Sequence, residues 1–474
     1  MISAAARRAL WSSALAASLC APFLARAEET PAQPGPADKA PATSASQPEP
    51  SAAPGDPFAF ADFGWLNGNS RQSEFPLDSK VFSGQVSVDV NYTNSFAEPK
   101  DHTIVGSTDS FRSNEVQVTD LSFGGDFHWN HVRARIMTQF GDYSTGTPRN
   151  DSSYSRGQWD LADAYRYIAE AYGGYHWDAL NGINLDAGIF MSYVGLCSYY
   201  DYENWIYQMS YVSANTPWFF QGLRLQIFTS DKLKIEPWVI NGWQSYGEFN
   251  EMPGFGLQVL WRPTAWFSLL SNSYFGADVL GNPSQFRFHS DDSIQIKYYE
   301  NNAGLLTRSA FSLTMDAGCQ AGGGVACSGN STNGEAFLGF MFYNRFWFGE
   351  HFAVTLGGGA ITNPGRYLVL LPPINGATAT TGSPYFTQNP GDSFKAWDSS
   401  LTLNIMPTQN LTWVIEYIHR QSNVPYFAGS GGVTPPGGNT GSPGSTVTLP
   451  GGGTWYPDLS TFENRVQIAL LVRI

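Results

Sequence analysis

The chain has 474 residues and a formal net charge of -14, with 14% charged and 15% aromatic residues. Such acidity argues against nucleic acid as a partner. Soluble domains carry nearer a quarter charged residues, so this shortage of charge beside so many rings points to a surface that does not face water everywhere. Beyond the first 24 residues there is no run of roughly 18 apolar residues, which excludes a further membrane-spanning helix but not spanning strands, whose alternation dilutes hydropathy.

At the start, Arg7 and Arg8 precede the apolar stretch Ala9 to Leu24 and then Ala25-Arg26-Ala27. A basic region, an apolar core and a small-x-small site predict a cleaved export signal over 1–27. Its loss removes three arginines and makes the mature chain more acidic still. Residues 28–56, rich in Pro, Ala, Ser and Gln, read as a flexible periplasmic segment with little to bury.

From about Ser83 onward the chain alternates. Val86, Val88, Val90 and Tyr92 interleave with Gln85, Ser87, Asp89 and Asn91; Leu185, Ala187 and Ile189 interleave with Asn184 and Asp186. The last ten residues set Val466, Ile468, Leu470, Val472 and Ile474 against Arg465, Gln467, Ala469, Leu471 and Arg473. A period of 2 is a strand with two differently solvated faces. Short connectors, such as Asn130-His131, Ser230-Asp231 and Gly349-Glu350, take turns with long Gly-rich ones near 97–113, 141–163, 195–217, 244–254, 276–290, 318–335, 362–393 and 422–462. This layout predicts an all-β fold over 57–474: a transmembrane antiparallel up-and-down β-barrel of about 16 strands, with short periplasmic turns and long extracellular loops. Hydrocarbon cannot satisfy backbone N–H and C=O groups, so a sheet crossing it must close on itself.

Two irregularities stand out. Leu121, Phe123, Phe127 and Trp129 are out of phase with Val116 and Val118, which predicts a bulge near Asp120. Phe337 to Phe348 is aromatic on both faces, so its inner face calls for cover by an inward-folded loop.

Face assignment turns Arg133, Arg135, Arg166, Glu170, Arg224, Lys234, Glu236, Lys297, Glu416, Arg420, Arg465 and Arg473 toward the lumen. Most of these are basic, whereas acids such as Asp142, Asp151, Asp201, Glu203, Asp291, Asp292 and Asp392 fall in the inferred external loops. One reading is a basic interior below an acidic mouth, favouring anions; the other is that lumen charges pair across strands and only hydrate the channel. The 362–393 loop holds the apolar run Tyr367 to Ile374, unsuited to an exposed tip. It either folds inward as a constriction, with Arg366 and Tyr367 at the eyelet, or packs on neighbouring loops or another protomer. Cys319 and Cys327 flank a short Gly-rich run that suits a disulfide better than a metal site; Cys197 has no evident partner.

Catalysis finds no support in these residues. His289-Ser290-Asp291-Asp292 is no triad, because adjacent strand residues point to opposite faces, and Asp101-His102 invites the same objection. No EF-hand spacing marks a dedicated cation site. The expectation is a protein that is not an enzyme, with no catalytic residue, cofactor or metal.

Several runs carry a resemblance: Trp65-Leu66-Asn67-Gly68-Asn69-Ser70-Arg71, Ala164 through His176, Asn215-Thr216-Pro217-Trp218-Phe219-Phe220, Glu236-Pro237-Trp238 with Asn241 through Tyr246, and Pro364-Gly365-Arg366-Tyr367. In this order, over roughly Phe58 to Ile474, the chain resembles the putative β-barrel porin-2 (OmpL-like) family of bacterial outer-membrane proteins. The resemblance implies a porin role in the outer membrane of a Gram-negative cell and supplies no catalytic residues. The expected activity is passive diffusion of small hydrophilic solutes or ions, with outer-membrane lipid, lipopolysaccharide, the barrel-assembly machinery and further copies of the chain as partners. The alternative is a barrel-anchored surface protein that binds ligands or other cells through its loops, the Gly- and Pro-rich 422–462 stretch above all. The chain departs from barrel habit in ending on Ile474, where an aromatic residue commonly closes the assembly signal.

Overall fold

Alternation in the sequence becomes wall in three dimensions. The computed structural model describes residues 56–328, 332–368, 391–434, 436, 447–449 and 451–474. The predicted signal and nearly all of the segment after it lie outside the described residues.

In chain order the strands are β1 (Phe82–Ser95), β2 (Val116–Trp129), β3 (Val132–Thr138), β4 (Ile168–Trp177), β5 (Ile183–Met191), β6 (Phe219–Ser230), β7 (Leu233–Ile240) and β8 (Gly254–Thr264). There follow β9 (Phe267–Gly276), β10 (Phe286–Glu300), β11 (Arg308–Ala321), β12 (Ala336–Phe348), β13 (Phe352–Thr362), β14 (Lys395–Thr408) and β15 (Leu411–Ser422). Four two-residue strands, β16 (Phe427–Ala428), β17 (Val447–Thr448), β18 (Thr454–Trp455) and β19 (Leu459–Ser460), decorate the last long loop before β20 (Phe462–Arg473). β1 through β15 and β20 form one closed barrel, each strand antiparallel to its neighbours. Closure is made where Ser87 to Ser95 of β1 face Arg473 to Arg465 of β20.

The faces follow the period. On β1, Gln85, Ser87, Asp89, Asn91, Thr93 and Ser95 are buried on the inner side. On β20, Arg465, Gln467, Ala469 and Leu471 are buried while Phe462 and Ile468 are exposed to the outside. A one-residue slip would turn Arg465 and Arg473 toward lipid, at roughly 2–4 kcal/mol each near mid-depth, so the register is strongly fixed. Rings band the outer surface: Trp129, Trp177, Trp266, Tyr298 and Trp413 near the short turns, Phe255, Phe288, Trp397 and Tyr417 toward the long loops. The bulge is present. Asp89 faces Asp120 and Val90 faces Val118, so Thr119 is the extra residue, and it and Asp120 are both buried inward.

Three boundaries differ from the sequence reading. The wall begins at Phe82, beside the Ser83 where alternation starts, so within 57–474 the residues before Phe82 are not wall. β10 starts at Phe286, so His289-Ser290-Asp291-Asp292 is strand and not loop rim. Asp291 is buried inside, whereas exposed Asp292 accepts from Ser271 at 2.5 Å and Ser290 at 2.9 Å on the outer face. β11 likewise continues to Ala321, carrying Cys319 in the wall.

Candidate functional site

A sixteen-stranded barrel is wide enough for an aqueous lumen, so what fills and lines that lumen decides what the molecule can do. The inner wall is charged, and most of its cations are paired. Arg133 and Arg224 converge on Asp186 at 3.3 and 2.7 Å. Arg135 lies 2.5 Å from Glu170 and 2.6 Å from Asp126. Lys234 meets Glu236 at 2.7 Å, Lys297 meets Glu300 at 2.9 Å, Arg465 meets Glu463 at 3.2 Å and Arg473 meets Glu203 at 2.8 Å. Arg420 stands opposite Asp398 in the strand register, donates to the Gly106 carbonyl and lies 4.2 Å above the Tyr211 ring. Arg224 is further boxed by Phe190 and Tyr172 at 4.6 and 4.7 Å. Arg166 is off the wall, in the connection before β4, 3.5 Å from Asp163.

Face assignment weighed the cations and passed over acids on the same inner faces, among them Asp89, Asp120, Asp186, Asp316 and Asp398. The signal for them was the same two-residue period. Asp291 was assigned to a loop, yet faces Asp316 directly across β10 and β11.

The lumen is crossed by the connection between β5 and β6, residues 192–218, read from the sequence as an external loop. Wall carboxylates hold its main chain. Glu416 accepts from Tyr207 N at 2.9 Å and Gln208 N at 2.8 Å, and also from Thr402 at 2.7 Å and Gln467 at 3.1 Å. Asp398 accepts from Tyr211 N at 2.9 Å and Ser210 Oγ at 2.8 Å. Arg345 donates to the Trp205 carbonyl at 2.9 Å, and Tyr207 donates to Asp89 at 3.0 Å. Hydrogen bonds with one ionised partner are the strong kind. They tie this loop to β1, β12, β14 and β15, across the barrel from its own roots. The two-faced aromatic strand β12 is explained here: Trp347 packs edge-on against Trp205 at 5.6 Å, and Met341 and Tyr343 join the same apolar cluster as Tyr211 and Val212.

Burial sets the loop electrostatics. Asp109, in the connection after β1, accepts from Gln208 Nε2 at 2.7 Å, yet desolvation pushes its pKa up to about 7. Asp201 is raised well above the ordinary value by burial and by the charges of Asp109 and Asp89. Burial lifts the Cys197 thiol to about 12, which keeps it protonated at neutral pH. Beneath the loop, Tyr143, Tyr193, Tyr199, Trp218 and Gln258 line a cavity of 220 Å³.

The constriction expected from 362–393 is only partly described. Tyr367 is buried against the inner wall, its hydroxyl 3.1 Å from His289 Nδ1 and its ring 4.6 Å from the Arg287 guanidinium. Arg366 ends a short 3-10 turn, and its side chain and residues 369–390 lie outside the described residues. The described segment that crosses the lumen is 192–218 instead. Its signal was a cluster of rings, Tyr199 to Trp218, in what passed for a polar loop. Cys319 and Cys327 are joined in a disulfide at the end of β11.

The sequence pattern of the putative beta-barrel porin-2, OmpL-like, family matches residues 82–447. The chain belongs to this family. Among solved structures it is similar to the trimer form of OmpT, an outer-membrane protein of Vibrio cholerae, at 8% identity and a TM-score of 0.47, over 84% of this chain and 100% of that one. It is also similar to an anion-selective porin from Comamonas acidovorans (9% identity, TM-score 0.47, 83% of this chain and 99% of that one). The outer-membrane channel DcaP of Acinetobacter baumannii gives 12% identity and a TM-score of 0.44, over 83% and 96%. Comparison with curated protein sequences returned no match.

Proposed function

We propose that this porin-family barrel is a passive outer-membrane channel for small hydrophilic solutes, exported through the 1–27 signal and inserted with its short turns toward the periplasm. The single observation that carries the reading is the division of wall strands into an apolar outer face and a polar inner one, as on β1 and β20. The loop 192–218 sets the cross-section, and selection is by size. Because most inner arginines and lysines have carboxylates within reach, with Arg345 held by Asn404 and carbonyls instead, wall charge gives weak ion preference in place of strong anion selectivity. Membrane lipid, lipopolysaccharide and the barrel-assembly machinery are the partners this placement requires. Liposome swelling with the mature chain, run on a graded series of uncharged sugars, tests it: swelling should fall with solute size, and no swelling with the smallest sugar would contradict the channel. Reversal potential under a salt gradient tests the second part, with a small value expected and clear cation or anion selectivity contradicting it.

A further inference from the structure

The residues before β1 do not hang below the barrel. They enter it. Phe58 N donates to the Asp231 carbonyl in the β6–β7 turn at 2.7 Å. Trp65 Nε1 donates to the Ala265 carbonyl in the β8–β9 turn at 3.1 Å. Asn67 exchanges hydrogen bonds with the Gln295 side chain of β10, at 2.8 and 3.2 Å. Arg71 Nη2 donates to the Thr408 and Leu411 carbonyls at 2.8 and 3.0 Å, in and beside the β14–β15 turn. In a ring of sixteen, the β6–β7 and β14–β15 turns lie eight strands apart whichever way one counts. Residues 58–71 therefore cross the short-turn mouth along a diameter.

This strap also meets the in-folded loop from below. Trp205 N donates to Asn67 Oδ1 at 2.8 Å, Trp205 Nε1 to the Trp65 carbonyl at 3.1 Å, and Gly68 N to the Glu203 carbonyl at 3.1 Å. Trp65 and Leu66 are fully buried in the contact. Gly68 is obligatory there: its φ is +74°, and a Cβ would sit 2.1 Å from the Leu196 carbonyl oxygen. The strap's ion pair, Asp62 with Arg308, is stretched to 4.0 Å. Its charge-assisted anchors are gathered at the Arg71 end; from Phe58 to Gly68 the strap is held by neutral carbonyl and amide bonds, worth less than charged ones.

We propose that the strap is a removable plug: seated, it closes the short-turn mouth against the loop 192–218, and solute passes only when it leaves. This rests on the channel reading above. Two variants of the mature full chain push in opposite directions. Gly68→Ala should unseat the strap and raise the open fraction at least about tenfold. Asn67→Cys places a thiol beside Cys197, whose Sγ is 3.7 Å from Asn67 Nδ2, so oxidation should lock the strap shut. Planar-bilayer recordings should then show openings abolished in oxidised Asn67→Cys and restored by dithiothreitol, with reductant-treated wild type controlling for the Cys319–Cys327 bond. Unchanged openings in the locked protein, mass-verified as crosslinked, would overturn the plug. A folded deletion of 58–71, shown by its heat-modifiable band, separates the two readings. Current above wild type supports the plug; current equal to wild type overturns the plug alone; no current at all overturns the channel and the plug with it.

Discussion

Two of the segments inside the barrel are held in different ways. Loop 192–218 hangs from wall carboxylates: Glu416 and Asp398 take its backbone N–H groups directly. The strap 58–71 leans on turn carbonyls and on the loop itself. Charge-assisted bonds contribute roughly 1.5–3 kcal/mol each, against about 0.5–1.5 for neutral ones. The loop is thus a waist pinned along its length by ionised wall side chains, and the strap a closure resting on it whose charge-assisted bonds sit at the Arg71 end. The difference teaches that wall acids here are structural anchors first, and that their burial is offset by main-chain donors, not by solute.

The sharpest way to break the contrast is Glu416→Ala, which removes four hydrogen bonds at once. The loop should lose on the order of 3–6 kcal/mol of docking energy through its two amide bonds alone. Unitary conductance should rise and protease should cleave within 192–218 while the barrel stays heat-modifiable; an unaltered conductance would show that Glu416 does not hold the waist. Arg71→Ala removes three charge-assisted bonds in a more exposed setting, costing the strap about 3–5 kcal/mol, and should lengthen openings without changing their amplitude. A change in amplitude would mean that strap and loop move as one body.

A third handle is pH. Burial holds Asp109 protonated up to about 7, against an ordinary value of about 4. A raised carboxylate pKa favours the folded loop most below the ordinary value, and that contribution is lost as pH rises through about 7. Conductance should accordingly be lowest in acid and climb through neutrality, where ionised Asp109 repels its buried neighbours. Asp109→Asn should flatten the profile, and a slope of the opposite sign would contradict the assignment. The smallest effect concerns the outer face. Asp292 is flanked there by Phe288 and Tyr298 of the same strand. Asp292→Leu should stabilise the barrel by about 1–2 kcal/mol, since a carboxylate facing lipid is costly. A denaturant midpoint that falls would imply that Asp292 and its two serine donors meet something other than lipid.

Most of the wall was legible because one physical demand, a wet inside and a greasy outside, is repeated at every second residue. β20 could be read residue by residue, and even the bulge at Thr119 showed as a break of phase. The lumen contents were not legible, since they obey no period. Tyr207, Gln208 and Tyr211 sit in place through contacts to residues about two hundred positions away, and the local cluster of rings marks them as buried without saying where. The apolar Tyr367 run drew attention that belonged to the less hydrophobic loop at 192–218. Asp291 is hidden for a different reason: β10 starts at Phe286, earlier than the Gly-rich connector suggests, so Asp291 reads as loop. The Trp65 to Arg71 run was noticed as a motif, but its position inside the mouth depends on turns from the opposite side of the ring.

Underlying all of this is the sidedness of the wall. Single cysteines at 133 through 136, in a Cys197→Ser background and embedded in liposomes, test it most directly, because Arg133 and Arg135 line the inner face with part of their side chains accessible and Ile136 is exposed outside. Water-soluble maleimide should label 133 and 135 and spare 134 and 136, with the pattern reversed for a lipid-soluble reagent. Labelling without that alternation would contradict the barrel and every inference drawn from its interior.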